Sequence, residues 1–242
     1  MPAAICAISA VKRRSSSLDR VAIDLSAPTR PLVISMGDPT ENCLSVIITR
    51  DGGKSWTKIP CKNLPQNVEG EAAFAASNTN VIVRGNFAWI VSGGKKSRVF
   101  YSSDKGATWK VYETPIVQGK AMTGIFSADF YDEQIGIVVG GDYENQQQNF
   151  GNKAITTDGG KTWKLIAEQS GFGYASCVQF VPGGKGNKIV SVGASGVFIS
   201  IDKGTSWSQL SGDSSFYTLR FLNSTTAVLA GKNKIVRMTL SE

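Results

Sequence analysis

The 242-residue chain contains no histidine. That absence removes the side chain most often used as a general base near neutral pH, and with it the commonest metal ligand. The four cysteines, Cys6, Cys43, Cys61 and Cys177, include no C-x-x-C pair. Zinc-binding spacing is therefore missing, and no metal is expected. No apolar run approaches the ~20 residues that a bilayer-crossing helix needs, so no membrane span is expected. No stretch sustains a helical apolar period. Glycine clusters such as "PGGKGN" at 182–187 precede a strand-like run and have no helix after them. Neither a dinucleotide fingerprint nor a phosphate loop is present, and no cofactor is expected.

Charge of one sign is in modest excess. The formal net charge is +7, but many of the lysines fall in or just after one recurring segment and are spread along the chain. Lysines on an outermost strand guard it against edge-to-edge pairing. No basic helix or aromatic RNA-binding signature accompanies them, so no nucleic-acid partner is expected. The N-terminal "MPAAICAISAVKRR" places its apolar stretch before its basic residues, the reverse of a secretory signal. No signal peptide is recognised.

The recurring segment is an octapeptide: "TRDGGKSW" at 49–56, "SSDKGATW" at 102–109, "TTDGGKTW" at 156–163 and "SIDKGTSW" at 200–207. Its aspartates, Asp51, Asp104, Asp158 and Asp202, stand 53, 54 and 44 residues apart, near the period of propeller blades. Between the copies, short runs rich in Val, Ile and Phe alternate with Gly/Asp/Asn clusters, the mark of strands and turns. Each module reads as a four-stranded antiparallel meander whose third and fourth strands are joined by the octapeptide. The fifth-position glycines, Gly53, Gly106, Gly160 and Gly204, allow a positive φ. The aspartate accepts hydrogen bonds from amides of its own turn, and Trp56, Trp109, Trp163 and Trp207 pack inward on the blade.

The pattern S/T-x-D-x-G-x-S/T-W resembles the Asp-box, or BNR repeat, of sialidases, sortilin-type receptors and photosystem II stability/assembly factors. "MGDPT" at 36–40, "GEAAFAAS" at 70–77, "RVFYSSDKGATW" at 98–109, "TPIVQG" at 114–119 and "VVGGDY" at 138–143 extend the similarity. They resemble a bacterial group of BNR/WD40/YVTN-like repeat proteins, often labelled oxidoreductase or glycosyl hydrolase. The resemblance implies an all-β propeller, secreted or periplasmic. That bacterial group is seven-bladed, whereas this chain supplies about five blades, at roughly 20–61, 69–114, 120–167, 173–211 and 215–240. Residues 20–242 are assigned to the propeller domain. The irregular segment 1–19 contains "AICAISAV" at 4–11, a candidate closing strand. If two N-terminal blades are instead absent, the ring is open or completed by another copy.

Cys43 and Cys61 flank the first octapeptide almost symmetrically. They form either a cross-strand disulfide, suited to an oxidising compartment, or two buried thiols.

A propeller concentrates function where the loops between blades and between second and third strands meet the channel. The octapeptides lie on the other side, so their aspartates read as structural. Candidate ligand-binding residues at the mouth are Asp38, Glu69, Glu71, Lys120, Asp142, Tyr143, Tyr174 and Tyr217. The loop "GGDYENQQQNFGN" is the longest and most polar. Sialidase chemistry needs an arginine triad, and of nine arginines no three are seen to converge. No catalytic residue is assigned. The resulting expectation is a non-catalytic propeller scaffold that binds a protein, peptide or glycan, with a sialidase-like glycoside hydrolase as the alternative.

Overall fold

The computed structural model describes residues 20–23, 32–74 and 79–240. The segment 1–19, with its candidate closing strand 4–11, lies outside the described residues. Among the described residues the structure is all-β, with a single 3-10 turn at Cys61–Asn63 and no α-helix. Five antiparallel sheets follow one another along the chain, and they are the blades of part of a β-propeller.

The first blade comprises Arg20–Ile23, Val33–Thr40, Cys43–Thr49 and Thr57–Lys58. The second is built from Val81–Arg84, Phe87–Val91, Arg98–Ser102 and Lys110–Glu113, and the third from Thr123–Phe130, Gly136–Asp142, Lys153–Thr156 and Lys164–Leu165. Ala175–Phe180, Ile189–Gly193, Gly196–Ser200 and Ser208–Ser211 form the fourth. The fifth has three strands, Phe216–Phe221, Thr226–Gly231 and Lys234–Thr239. Two short strands, Glu71–Ala72 and Gly93–Gly94, pair with each other and stitch the second blade to the inner strand of the third, where Gly93 faces Gly124. A Cβ on Gly124 would stand 2.4 Å from the Gly93 Cα. Only glycine permits that approach.

Strand alternation explains the packing. Side chains of one strand point to opposite faces, and here both faces are buried, as expected for sheets stacked around a channel. Ile90 joins Ile34, Met36, Val46 and Ile48 between the first two blades, while its neighbours Trp89 and Val91 join Ile125, Phe130 and Val138 between the second and third. Ile137 and Val139 turn the other way, onto Phe180, Ile189 and Phe198 of the fourth blade. Val190 and Val192 meet Leu219 and Leu229 of the fifth. Each hydrophobic cluster thus lies between two consecutive blades.

The octapeptide turns are superimposable in their bonding. The first-position hydroxyl donates to the aspartate at 2.7–2.8 Å and accepts the fifth-position glycine N–H at 2.8–2.9 Å. The seventh-position hydroxyl donates to the other carboxylate oxygen at 2.6 Å in all four copies. Its amide donates to the aspartate as well, at 2.8–3.0 Å. The fourth position shares the left-handed conformation with the fifth: Gly52 and Gly159, but also Lys105 (φ 59°) and Lys203 (φ 61°). The fifth-position glycine is also a contact point with the preceding blade. A Cβ on Gly106 would meet Ile48 at 2.6 Å, and one on Gly160 would meet Trp89 at 3.3 Å.

The tryptophans divide. Trp109, Trp163 and Trp207 donate their indole N–H to the carbonyl of their own turn glycine at 2.9–3.1 Å and join clusters shared with the preceding blade. Trp56 is instead 43% exposed, contrary to the inward packing expected from the sequence. Its turn glycine, Gly53, has no neighbour from another blade within 4 Å, so among the described residues this tryptophan has no preceding blade to pack on.

Cys43 and Cys61 are joined as a disulfide, with Cα atoms 5.6 Å apart. It ties the start of the third strand of blade one to the 3-10 turn that leaves the blade. Cys177 is buried and free.

Candidate functional site

Three inner strands carry the same irregularity at the same place. The register with the second strand shifts between Ile125 and Ser127, between Ala175 and Cys177, and between Phe216 and Thr218. The skipped residues are Phe126, Ser176 and Tyr217. A β-bulge re-aims the residue it leaves out of the ladder, and all three line one cleft of about 820 Å³. The cleft is fed by the beginnings of the inner strands and by the loops between second and third strands, the rim opposite the octapeptides.

Its wall is aromatic. Phe74 stacks on Phe126 with ring centroids 4.1 Å apart. Tyr174 meets Phe126 edge-on at 4.9 Å and Tyr143 edge-on at 5.3 Å. Phe74 sits at φ 46°, a conformation that a bulky residue adopts only when its surroundings impose it. Asp38 accepts the N–H of Ala73 at 3.2 Å, and the Asn80 amide donates to the carbonyls of Ala73 and Phe74 at 2.6 and 3.2 Å. These bonds hold the Phe74 backbone in place. Tyr143 and Tyr217 are 47% and 56% exposed, so two aromatic faces are offered to solvent. Burial, reinforced by the neighbouring Tyr143 phenol, holds the Tyr174 hydroxyl above the usual tyrosine range. It stays a neutral donor.

Of the eight candidate residues, Asp38, Tyr143, Tyr174 and Tyr217 line the cleft. The other four do not. Glu71 is buried against Arg98, whose guanidinium grips it through Nε at 2.9 Å and through Nη2. It also accepts the Ser92 hydroxyl at 2.5 Å and the Val68 N–H at 3.0 Å. All its capacity is consumed inside the blade. Asp142 caps its own loop, accepting the amides of Glu144 and Asn145 at 2.9 and 3.1 Å, and pairs with Lys120 at 3.2 Å. Burial raises its pKa, but Lys120 and the two amides outweigh burial and leave it lowered. Glu69 is exposed in the turn before Glu71. Among the described residues Asp38 is the one carboxylate lining the cleft, and no lysine or arginine lines it.

The long loop after Asp142 is held at several points. Gln146 accepts the Tyr174 N–H at 2.9 Å, and Asn149 accepts the Gln169 N–H at 2.8 Å. Wholly buried Lys153 reaches under it, donating to Asn149 Oδ1, Asn152 Oδ1 and the Phe172 carbonyl at 2.8, 2.8 and 3.0 Å. The wall bearing Tyr143 and Tyr174 is thereby preformed. Among the described residues no group of three or more His, Cys, Asp or Glu is placed to hold a metal, and no helix is long and apolar enough to cross a membrane.

The family model for Sortilin-Vps10, described as sortilin, neurotensin receptor 3, matches residues 44–179, more than half of the chain. The chain belongs to the Sortilin-Vps10 family. Among solved structures it is similar to the GH74 enzyme of Niastella koreensis, with a TM-score of 0.52 and 13% identity over 90% of this chain and 44% of that one. A protein of unknown function from Dyadobacter fermentans gives 0.51 and 16%, over 86% and 70% of the two chains. The GH74 xyloglucanase of Xanthomonas campestris gives 0.50 and 13%, over 90% and 44%. The chain spans less than half the length of the two GH74 proteins. At these identities the likeness is one of fold, the β-propeller. No curated protein sequence matches.

Proposed function

We propose that the chain is a non-catalytic binding module that recognises a protein or peptide segment at the bulge-lined cleft, with a glycan as the other ligand class its aromatic faces accept. The observation that carries this reading is the threefold bulge, which turns Phe126, Ser176 and Tyr217 toward one mouth. Exposed tyrosines on a rigid frame bury large area while losing little side-chain freedom. The fastened loop lowers the ordering cost of association. Membership of a family described by a receptor agrees with binding. The identity of the octapeptides as Asp-boxes, and an assembly-factor-like role, belong to the same reading.

The alternative, a sialidase-like glycoside hydrolase, needs paired acidic groups across one pocket. Among the described residues Asp38 is the sole carboxylate of the cleft, and Glu71 and Asp142 are engaged with Arg98 and Lys120. The chemistry therefore favours binding.

Peptide and glycan arrays probed with the full chain test the proposal. Hits are expected to weaken about tenfold or more in Tyr143→Ala and Tyr217→Ala, as truncation of a central aromatic anchor does elsewhere, with melting unchanged. Hits indifferent to both substitutions would overturn it. So would turnover of a glycoside that Asp38→Asn abolishes.

A further inference from the structure

The chemistry of the cleft at the mouth is one-sided. Among the described residues its lining holds one charged side chain, the exposed carboxylate of Asp38, together with the rings of Phe74, Phe126, Tyr143, Tyr174 and Tyr217. The remaining ring, Phe216, is already taken: the Lys234 ammonium stands 4.4 Å from its centroid and is paired with Asp213. One Asp38 oxygen accepts the Ala73 N–H at 3.2 Å, and among the described residues the other accepts no hydrogen bond. Hydroxyl donors of the lining are turned inward. Ser176 donates to the Tyr217 carbonyl at 2.8 Å, and Thr218 to the Cys177 thiol at 3.7 Å. Lys120, two residues before cleft-lining Met122, places its ammonium 3.2 Å from Asp142. The cleft therefore offers a ligand an acceptor and ring faces, with no cation to neutralise either.

The face of an aromatic ring is the negative part of its quadrupole and attracts a cation. The chain uses that attraction in its own interior: the Lys153 ammonium lies 4.7 Å from the Phe172 centroid, and the Arg98 guanidinium 5.3 Å from that of Phe100. The net charge of +7 does not oppose a cationic ligand at the mouth. Lys54, Lys105, Lys161 and Lys203 belong to the octapeptides on the other rim, and physiological salt screens charges beyond about 8 Å. Arginine suits such a cleft better than lysine. Its flat guanidinium stacks on a ring while its edge donates to a carboxylate, and it is more weakly hydrated than an ammonium. We propose that the cleft selects a peptide segment carrying an arginine, whose guanidinium packs on the tyrosine rings of the wall and pairs with Asp38. This rests on the reading of the cleft as a peptide-binding mouth and adds which side chain it takes.

The test probes the full chain with an array of short peptides in which every position is varied through all residue types. Hits are then measured by anisotropy as fluorescein-labelled peptides. Arginine is expected to lead at one position, with lysine weaker and acidic residues rejected. Replacing that arginine by citrulline, which keeps the shape and loses the charge, should weaken binding about tenfold, as loss of a central anchor does. Asp38→Asn still offers Ala73 an acceptor. It should weaken the arginine peptide and leave the citrulline peptide unchanged, the signature of direct coupling. Added salt should weaken the arginine peptide on the parent chain and not on Asp38→Asn. Tyr217→Leu, at a position 56% exposed, repeats the comparison from the ring side should Asp38→Asn fold poorly. Citrulline or lysine binding as tightly as arginine overturns the proposal, as does a loss with citrulline that ignores both Asp38→Asn and Tyr217→Leu. So do hits without an arginine position. In those cases hits that still weaken in Tyr143→Ala leave peptide binding at the mouth standing. Absence of any peptide hit overturns both.

Discussion

Trp89 of the second blade donates its indole N–H to the carbonyl of Gly159, in the third blade's octapeptide, at 2.8 Å. The ring is wholly buried and stacked on Phe130 with centroids 3.9 Å apart. One side chain therefore fastens the turn of one blade to the sheet of another. Trp89→Phe leaves the carbonyl of Gly159 without its donor and removes part of the stack. A loss of about 2–3 kcal/mol is expected from urea unfolding, combining the unpaired buried group with the lost volume.

The turn aspartates make acid sensitivity a direct readout. Burial raises the pKa of Asp158, but hydrogen bonds from the Thr162 hydroxyl and amide, the Thr156 hydroxyl and the Lys161 amide outweigh it and bring the carboxyl down to about 2. A folded-state pKa below the ordinary value of 3.8 contributes stability that is complete above about pH 4 and is lost as pH falls toward 2. Asp158→Asn should lower stability by about 1–2 kcal/mol at pH 7. It should also give a shallower decline than the parent between pH 4 and pH 2, measured by thermal melts across that range.

Left-handed lysines give a prediction of opposite sign. Lys203 and Lys105 hold φ near +60° at the position that Gly52 and Gly159 occupy in the other copies. An L-residue there costs about 1 kcal/mol. Part of that is returned by its smaller unfolded-state entropy. Lys203→Gly should therefore raise stability by about 0.5 kcal/mol. Gly106→Ala should destabilise by more than 1 kcal/mol, because the left-handed φ coincides with the 2.6 Å approach to Ile48. Paired denaturant titrations check both signs.

Lys153 is the counterpart at high pH. Burial pushes its ammonium down to about 8, partly opposed by Glu168. The charged form is thus disfavoured in the folded chain. Its penalty applies in full below about pH 8 and is relieved as pH rises from there toward the unfolded value of 10.5. The melting temperature should gain from this group over that window, and Lys153→Met should remove the gain. A parent curve no different from the variant between pH 8 and pH 10 would contradict the assignment.

The sequence exposed the chain-local part of this structure and hid the rest. A carboxylate that bonds within four residues of itself, as Asp104 does with Ser102 and Thr108, is written into its own octapeptide. Strand alternation was legible for the same reason, since it repeats every two residues, and the blades were legible because the octapeptide aspartates recur 53, 54 and 44 residues apart. The fates of Glu71 and Asp142 were not. Glu71 is bound to Arg98, 27 positions away, and Asp142 to Lys120, 22 away, partners that no spacing rule selects. Phe74 and Phe126 were equally hidden, because an aromatic in an apolar run signals a strand whether it faces a neighbouring blade or a cleft. Only the bulge tells the two apart, and a bulge leaves no mark on composition.

Since every apolar cluster is shared by two consecutive sheets, no sheet owns its interior. Each lends one face forward and borrows one from behind, so stability accrues at the seams and cooperativity passes from neighbour to neighbour. Lengthening or shortening such a chain by a whole sheet creates or deletes one seam and leaves the others untouched. Ancestral gain and loss of entire units is therefore a mild change for this architecture, whereas a cut through the middle of a unit strands two half-seams at once.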